Sequence, residues 1–196
     1  MRSLKIVIVD DESIIRLDLK QMLQEAGHKV IGEASDGQQA VELTRTLYPD
    51  LVIMDVKMPN MDGITAAGII NAEHLAPVLL LTAYSQQDVV EAASDSGVIA
   101  YLVKPIKEEQ LFPAIEIAMS RFGDIQDLEQ QIASLKETLE MRKLVERAKG
   151  ILMELHGLNE DIAYKKLQQY AMNKRKGIKE VAQAVIKSYD NQTRSK

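Results

Sequence analysis

Five short, mainly apolar runs, separated by segments of helical periodicity, limit most strongly how this chain can fold. Within each run, apolar and polar residues do not alternate, which is typical of strands covered on both faces. Strands that alternate with helices pair in parallel, because a parallel connection needs room for a crossover helix. The sequence therefore predicts a five-stranded, parallel, doubly wound α/β sheet. Its strands are expected at 4–9, 30–34, 51–54, 77–81 and 99–103.

Helices are predicted between these strands, with ends marked by capping residues and glycines. Ser13 can cap the first helix, and Gly27 is expected to end it. The other helices are expected after Asp36-Gly37, around 63–73, around 86–95 and at roughly 108–121, the last ending near Gly123.

Polar side chains follow four of the predicted strands: Asp10 and Asp11, Asp55, Thr82 and Lys104. In such sheets a ligand site forms beyond the carboxyl ends of the strands, so we expect these residues to lie together. Three neighbouring carboxylates need a compensating cation, and Mg²⁺ prefers such oxygen ligands. The hydroxyl and the ammonium group suit phosphoryl oxygens, and a carboxylate can attack phosphorus. Any single Asp could be a helix cap or a surface acid, but the whole set favours a site.

Residues 1–122 resemble the receiver domain of two-component response regulators. The matching segments are Val9-Asp10-Asp11-Glu12, Asp55-Val56-Lys57-Met58-Pro59-Asn60-Met61-Asp62-Gly63, Thr82-Ala83 and Tyr101-Leu102-Val103-Lys104-Pro105.

The resemblance implies a flavodoxin-like domain that a sensor histidine kinase phosphorylates on Asp55. It also implies that Mg²⁺ is held by Asp10, Asp11 and Asp55, with the backbone carbonyl of Lys57 as a further ligand.

The resemblance further implies that Lys104 contacts the phosphoryl group and that Thr82 and Tyr101 form a switch pair. Thr82 would move towards the phosphoryl group and Tyr101 would follow inwards. The Lys104–Pro105 peptide bond is expected to be cis, which a bond before proline permits.

Charge divides the chain unevenly, although the net charge is only −5. Residues 1–123 carry 10 Lys and Arg against 18 Asp and Glu, a net charge of −8. Residues 124–140 carry −4 and residues 141–196 carry +7. An acidic part followed by a basic part suggests two separate roles.

Residues 123–140 are predicted to form a linker helix with a coiled-coil seam. Its apolar residues follow the 3-4 spacing of such seams, which favours a dimer. The alternative is one amphipathic helix packed on its own domain. The seam residues are Ile125, Leu128, Ile132, Leu135 and Leu139.

Residues 141–190 are predicted to form a small domain of three helices, with Asn159 capping the second, followed by a flexible tail at 191–196. On charge alone, RNA binding and simple solvation are equally good explanations. The segment is similar to the ANTAR domain, an RNA-binding output domain of antitermination regulators. The matching residues are Arg147-Ala148-Lys149-Gly150-Ile151-Leu152-Met153, Glu160-Asp161-Ile162-Ala163-Tyr164-Lys165-Lys166-Leu167, Ala171 and Ile178-Lys179-Glu180-Val181-Ala182.

The ANTAR resemblance implies binding to a pair of stem-loops in nascent leader RNA, which prevents a terminator hairpin from forming. The whole sequence is similar to regulators of ethanolamine-utilisation genes. An exposed aromatic among basic residues suits stacking on an unpaired base. The residues expected to be exposed towards RNA are Arg147, Lys149, Tyr164, Lys165, Lys174 and Arg175.

Two other output functions stay open: binding of duplex DNA, and a protein-binding adaptor whose basic face is only solvated. An enzyme is not expected, since no second catalytic constellation is visible and a receiver only catalyses its own phosphorylation and hydrolysis.

The apolar runs are too short to span a membrane, and the start does not resemble a signal peptide, so a cytoplasmic protein is expected. The protein is expected to form a homodimer when it is phosphorylated. It is expected to use no small-molecule substrate other than the phosphoryl donor.

Overall fold

The computed structural model describes residues 2–83 and 100–194, with side chains described up to residue 191. It divides into two compact units, Met1–Gln126 and Asp127–Lys196, and each is described by itself. The helix predicted around 86–95 lies outside the described residues. Within the described ranges, none of the helices combines the length and the apolar character that a membrane-spanning segment needs.

The first unit contains a parallel sheet of five strands in the order β2-β1-β3-β4-β5, which confirms the predicted fold class. The strands are β1 (Lys5–Val9), β2 (Lys29–Ala34), β3 (Leu51–Asp55), β4 (Val78–Thr82) and β5 (Ala100–Val103). The described helices are α1 (Ser13–Glu25), α2 (Gly37–Leu47), α3 (Gly63–Ala72) and α4 (Glu108–His156), of which α4 continues into the second unit.

Apolar clusters cover both faces of the sheet, and the three central strands β1, β3 and β4 are buried almost throughout. This explains why the sequences of these strands do not alternate in polarity. On one face, Ile6 and Ile53 pack in a cluster with residues of α1 and α4 such as Leu23. On the other face, Val7 and Met54 pack in a cluster with residues of α2 and α3. Two apolar layers on one sheet keep the carboxyl ends of the strands fixed relative to one another.

Two helix boundaries differ from those predicted. Ser13 does not cap α1: Glu12 takes that place, without a side-chain hydrogen bond to the helix. The predicted helix end near Gly123 is also wrong, because α4 continues through this residue without interruption. A single glycine costs a helix interior only about 1 kcal/mol, which good helix formers on either side can offset.

The second unit combines the C-terminal part of α4 with α5 (Glu160–Lys174) and α6 (Ile178–Arg194). Asn159 caps α5 as predicted, since its side chain accepts a hydrogen bond from the Ile162 amide. The three helices bury one apolar cluster, whose buried members are Val145, Ala148, Ile151, Leu167, Ala171, Val181, Ala182 and Ile186.

Candidate functional site

The three aspartates that the sequence singled out meet at one edge of the sheet. Asp10 follows β1 and is fully buried, Asp55 ends β3 and is also buried, and Asp11 is exposed. Each contributes a carboxylate oxygen, and these oxygens lie within 4.8 Å of one another. Three oxygen donors at this spacing fit a small divalent cation.

Lys104 joins two of these carboxylates. Its Nζ lies 2.8 Å from Oδ2 of Asp10 and 3.1 Å from Oδ1 of Asp55. Burial raises the pKa of Asp55 above its ordinary value, although the hydrogen bond from Lys104 opposes this change. Burial alone would lower the pKa of Lys104, but its bonds to Asp10 and Asp55 outweigh this effect and raise it. The ammonium therefore stays charged and partly compensates the acidic cluster.

Two residues that sequence reasoning did not single out shape this edge. Arg16, on α1, donates a hydrogen bond from Nη1 to the backbone carbonyl of Asp10, at 2.6 Å. Gly63, the first residue of α3, lies so close to β3 that a Cβ atom there would overlap the carbonyl oxygen of Asp55. Gly63 belongs to a motif that the sequence had already marked, but the close approach becomes visible only in the fold.

The remaining residues predicted for this site lie around it. Thr82 is buried at the end of β4, one residue beyond Leu81, which pairs with Asp55. Tyr101 is half-buried on β5. Lys57 lies in the loop after β3. The Lys104–Pro105 peptide bond is cis, as predicted.

The basic residues of the second unit differ in exposure. Lys165, Lys174 and Arg175 are exposed as predicted, and Arg147 is exposed while forming an ion pair with Asp190 at 3.0 Å. Arg175 ends α5 with a left-handed backbone, at φ 52°. These four cations therefore lie on the surface of the unit.

The prediction that Lys149 is exposed is wrong: only 7% of this residue is accessible. Its Nζ lies 2.8 Å from a carboxylate oxygen of Glu146 and 2.7 Å from one of Glu160. The hydrogen bonds to Glu146 and Glu160 raise the pKa of Lys149, and the bond from Lys149 lowers the pKa of Glu160. This burial could not be predicted from the local sequence, because Glu160 belongs to another helix.

Tyr164 is 39% exposed and lies next to Lys149, whose Nζ is 6.0 Å from the centre of the ring. Both residues line a cavity of about 520 Å³ between α4, α5 and α6. An exposed aromatic ring beside a cavity is a suitable surface for a planar group such as an unpaired base.

The five seam residues are all exposed, by between 43% and 64%. They lie on the stretch of α4 from Ile125 to Leu139. A row of exposed apolar side chains at coiled-coil spacing suits pairing with another helix.

Comparison with known proteins confirms the family resemblance of both parts of the chain. Residues 6–116 match the response regulator receiver domain, and residues 133–186 match the ANTAR domain. The transcriptional regulatory protein PdtaR of Mycobacterium tuberculosis is 53% identical over 184 residues, which cover 94% of this chain and 90% of PdtaR. The chemotaxis protein CheY of Bacillus subtilis is 39% identical over 112 residues, 57% of this chain and 93% of CheY.

Solved structures show the same likeness for the first unit. The response regulator domain of CheB from Thermotoga maritima superposes with a TM-score of 0.56 and 29% identity, covering 61% of this chain and 98% of that domain. The chain belongs to the response regulator family, with an N-terminal receiver domain and a C-terminal ANTAR domain.

Proposed function

We propose that this response regulator controls transcription antitermination by binding nascent RNA when Asp55 is phosphorylated. The observation that carries the proposal is the joint arrangement of Asp10, Asp11, Asp55 and Lys104 in a chain that also contains an ANTAR domain. We assign residues 1–122 to the receiver, 123–140 to the linker helix, 141–190 to the RNA-binding domain and 191–196 to a flexible tail.

Asp55 is the phosphoryl acceptor in this proposal. A carboxylate oxygen attacks the phosphorus of a phosphohistidine on the kinase, an O–P bond forms, and the P–N bond to the leaving imidazole breaks. Lys104 is near enough to bind a phosphoryl oxygen, since its Nζ already lies 3.1 Å from Asp55. Asp10, Asp11, Asp55 and the Lys57 carbonyl would hold Mg²⁺, which offsets the charge of the phosphoryl group when bound.

In this proposal, phosphorylation changes the charge at Asp55 and thereby favours the active state of the protein over the inactive state. Thr82 moves towards the phosphoryl group, and Tyr101 moves from its half-buried position further inwards. This change favours a homodimer formed through the exposed seam, in which Leu128 and Leu135 are among the most exposed side chains.

The dimer presents two basic domains to two stem-loops of a leader transcript. Binding of the first stem-loop raises the effective concentration of the second, so the pair binds more tightly than either alone. Arg147, Lys165, Lys174 and Arg175 are exposed and can neutralise phosphates, and Tyr164 can stack on an unpaired base. Because a kinase and a nascent transcript must both reach the protein, we place it in the cytoplasm.

Crosslinking tests the proposal directly. RNA is crosslinked to the protein with and without acetyl phosphate, and the bound RNA is then sequenced. We expect stem-loops of leader transcripts to be enriched only with the phosphoryl donor, and Asp55→Asn to lose the enrichment. Equal recovery from Asp55→Asn with no response to the donor would refute the switch.

Gel shifts with structured RNA and with duplex DNA separate the two nucleic-acid outputs. Tighter binding of duplex DNA would favour a DNA-binding regulator. Charge reversal at Lys165 and Arg175 without loss of RNA affinity would favour a protein-binding adaptor. The likeness to regulators of ethanolamine-utilisation genes stays a prediction, which the sequenced transcripts also test.

A further inference from the structure

Lys149 is the one buried lysine among the residues whose side chains the structure describes. A buried ammonium is costly unless it is paired and hydrogen-bonded, and this one has two carboxylate partners. Glu146 precedes it by one turn of α4, while Glu160 lies in the first turn of α5. The ammonium therefore ties the start of α5 to α4.

Tyr164 lies one turn after Glu160 on α5, on the part of the helix that this ion pair fixes. The Lys149 ammonium also lies 6.0 Å from the centre of its ring, within the range of a cation–π interaction. Loss of the ammonium would release the start of α5 and leave Glu146 and Glu160 uncompensated beside Tyr164. Two free carboxylates at this point would repel the phosphates of RNA.

We propose that Lys149 is a positioning residue for RNA binding, which acts through Tyr164 and by neutralising Glu146 and Glu160, without touching a phosphate itself. The inference rests on the proposed RNA-binding function and assigns Lys149 a role different from that of the exposed cations. Its two nearest acceptors are protein carboxylates at 2.7 Å and 2.8 Å, which take two of its three N–H donors.

The salt dependence of RNA binding distinguishes positioning from phosphate contact. Each cation that neutralises a phosphate adds a slope of roughly −0.7 to −0.9 to log K against log salt concentration. We therefore expect Lys149→Met to weaken binding about tenfold or more. The triple variant Glu146→Gln, Lys149→Met, Glu160→Gln leaves no free carboxylate for salt to screen, so its slope should equal that of the wild type. The matched control Lys165→Met should weaken binding and make the slope shallower by roughly one.

The assay uses the full chain with Mg²⁺ and acetyl phosphate, and a fluorescent hairpin RNA selected by the wild-type protein from a pool with randomised loops. Failure of the wild-type protein to select any hairpin would overturn the proposed function itself. A slope for the triple variant that becomes shallower as it does for Lys165→Met would overturn the positioning role alone.

Two further variants test how Lys149 acts, and circular dichroism checks the helix content of each. The triple variant Glu146→Gln, Lys149→Met, Glu160→Gln removes the unpaired charges, so it should fold and recover part of the lost affinity. In a double-mutant cycle, the losses from Lys149→Met and Tyr164→Ala should be less than additive. No recovery in the triple variant, or fully additive losses, would contradict the proposal.

Discussion

Replacement of Gly63 by alanine tests how closely Asp55, the proposed phosphoryl acceptor, depends on its backbone surroundings. The added Cβ would overlap the carbonyl oxygen of Asp55 and lie 2.9 Å from its carbonyl carbon and 3.1 Å from Cα of Val56. Ordinary contacts of a Cβ atom begin at 3.4 Å. Since the obstacles are backbone atoms, α3 or the end of β3 has to move by on the order of 1 Å.

A displacement of this size predicts losses in both function and stability. Misplacement of a reacting group by about 1 Å can cost roughly 100-fold in rate, so phosphorylation of Asp55 by acetyl phosphate should slow by about that factor. Overpacking of a well-packed site typically costs about 1–3 kcal/mol, and Gly63→Ala should lower the free energy of unfolding by a similar amount.

Gly68 provides a matched control on the same helix. A Cβ atom there would meet nothing within 4 Å. Gly68→Ala should therefore raise the free energy of unfolding by about 0.5–1 kcal/mol, through helix propensity alone, and leave phosphorylation unchanged. Phosphoprotein gels give the rates, and urea unfolding followed by circular dichroism gives the stabilities. Equal phosphorylation rates for the two variants would refute the reasoning.

Three further changes test other parts of the structure. Asp36→Ala removes the N-cap of α2 and should cost about 1 kcal/mol in urea unfolding; an unchanged midpoint would contradict this. Lys104→Met should raise the pKa of Asp55 further in the metal-free protein, as carbon NMR of the carboxyl group would show; a lower pKa would contradict it. The hydrogen bond from Lys149 lowers the pKa of Glu160. The pair therefore stabilises the folded protein at pH values above the ordinary pKa of Glu, and this stabilisation is lost as the pH falls through the lowered pKa of Glu160. Glu160→Gln should flatten that acid-side decline in stability, and an unaltered pH profile would contradict the pairing.

The sheet could be predicted from sequence because its pattern is local. Each strand is a short apolar run, and the polar residues of the site lie at the ends of β3 and β4 or just after β1 and β5. In a parallel sheet those positions must share one edge, so the meeting of Asp10, Asp55 and Lys104 follows from topology.

Two features of the structure depend on distant parts of the chain, and one predicted helix end was wrong for a local reason. Lys149 has a sequence context typical of an exposed helix position, yet it is buried and pairs with Glu160 on the next helix, whose own side chain is exposed. Gly63 could be recognised as part of a motif, but its contact with Asp55 depends on how α3 packs against β3. Gly123 was expected to end a helix because glycine is a frequent helix terminator, whereas here it lies within α4.

At Arg175, the end of a helix and the proposed contact with RNA favour different residues. A left-handed backbone costs an ordinary L-residue about 1 kcal/mol or more, and glycine is the residue that avoids this cost at the end of a helix. The chain instead has an exposed arginine there, at φ 52°, and a glycine only two residues later. Selection for stability alone would favour Arg175→Gly, so a screen for thermostable variants should enrich this substitution while RNA affinity declines.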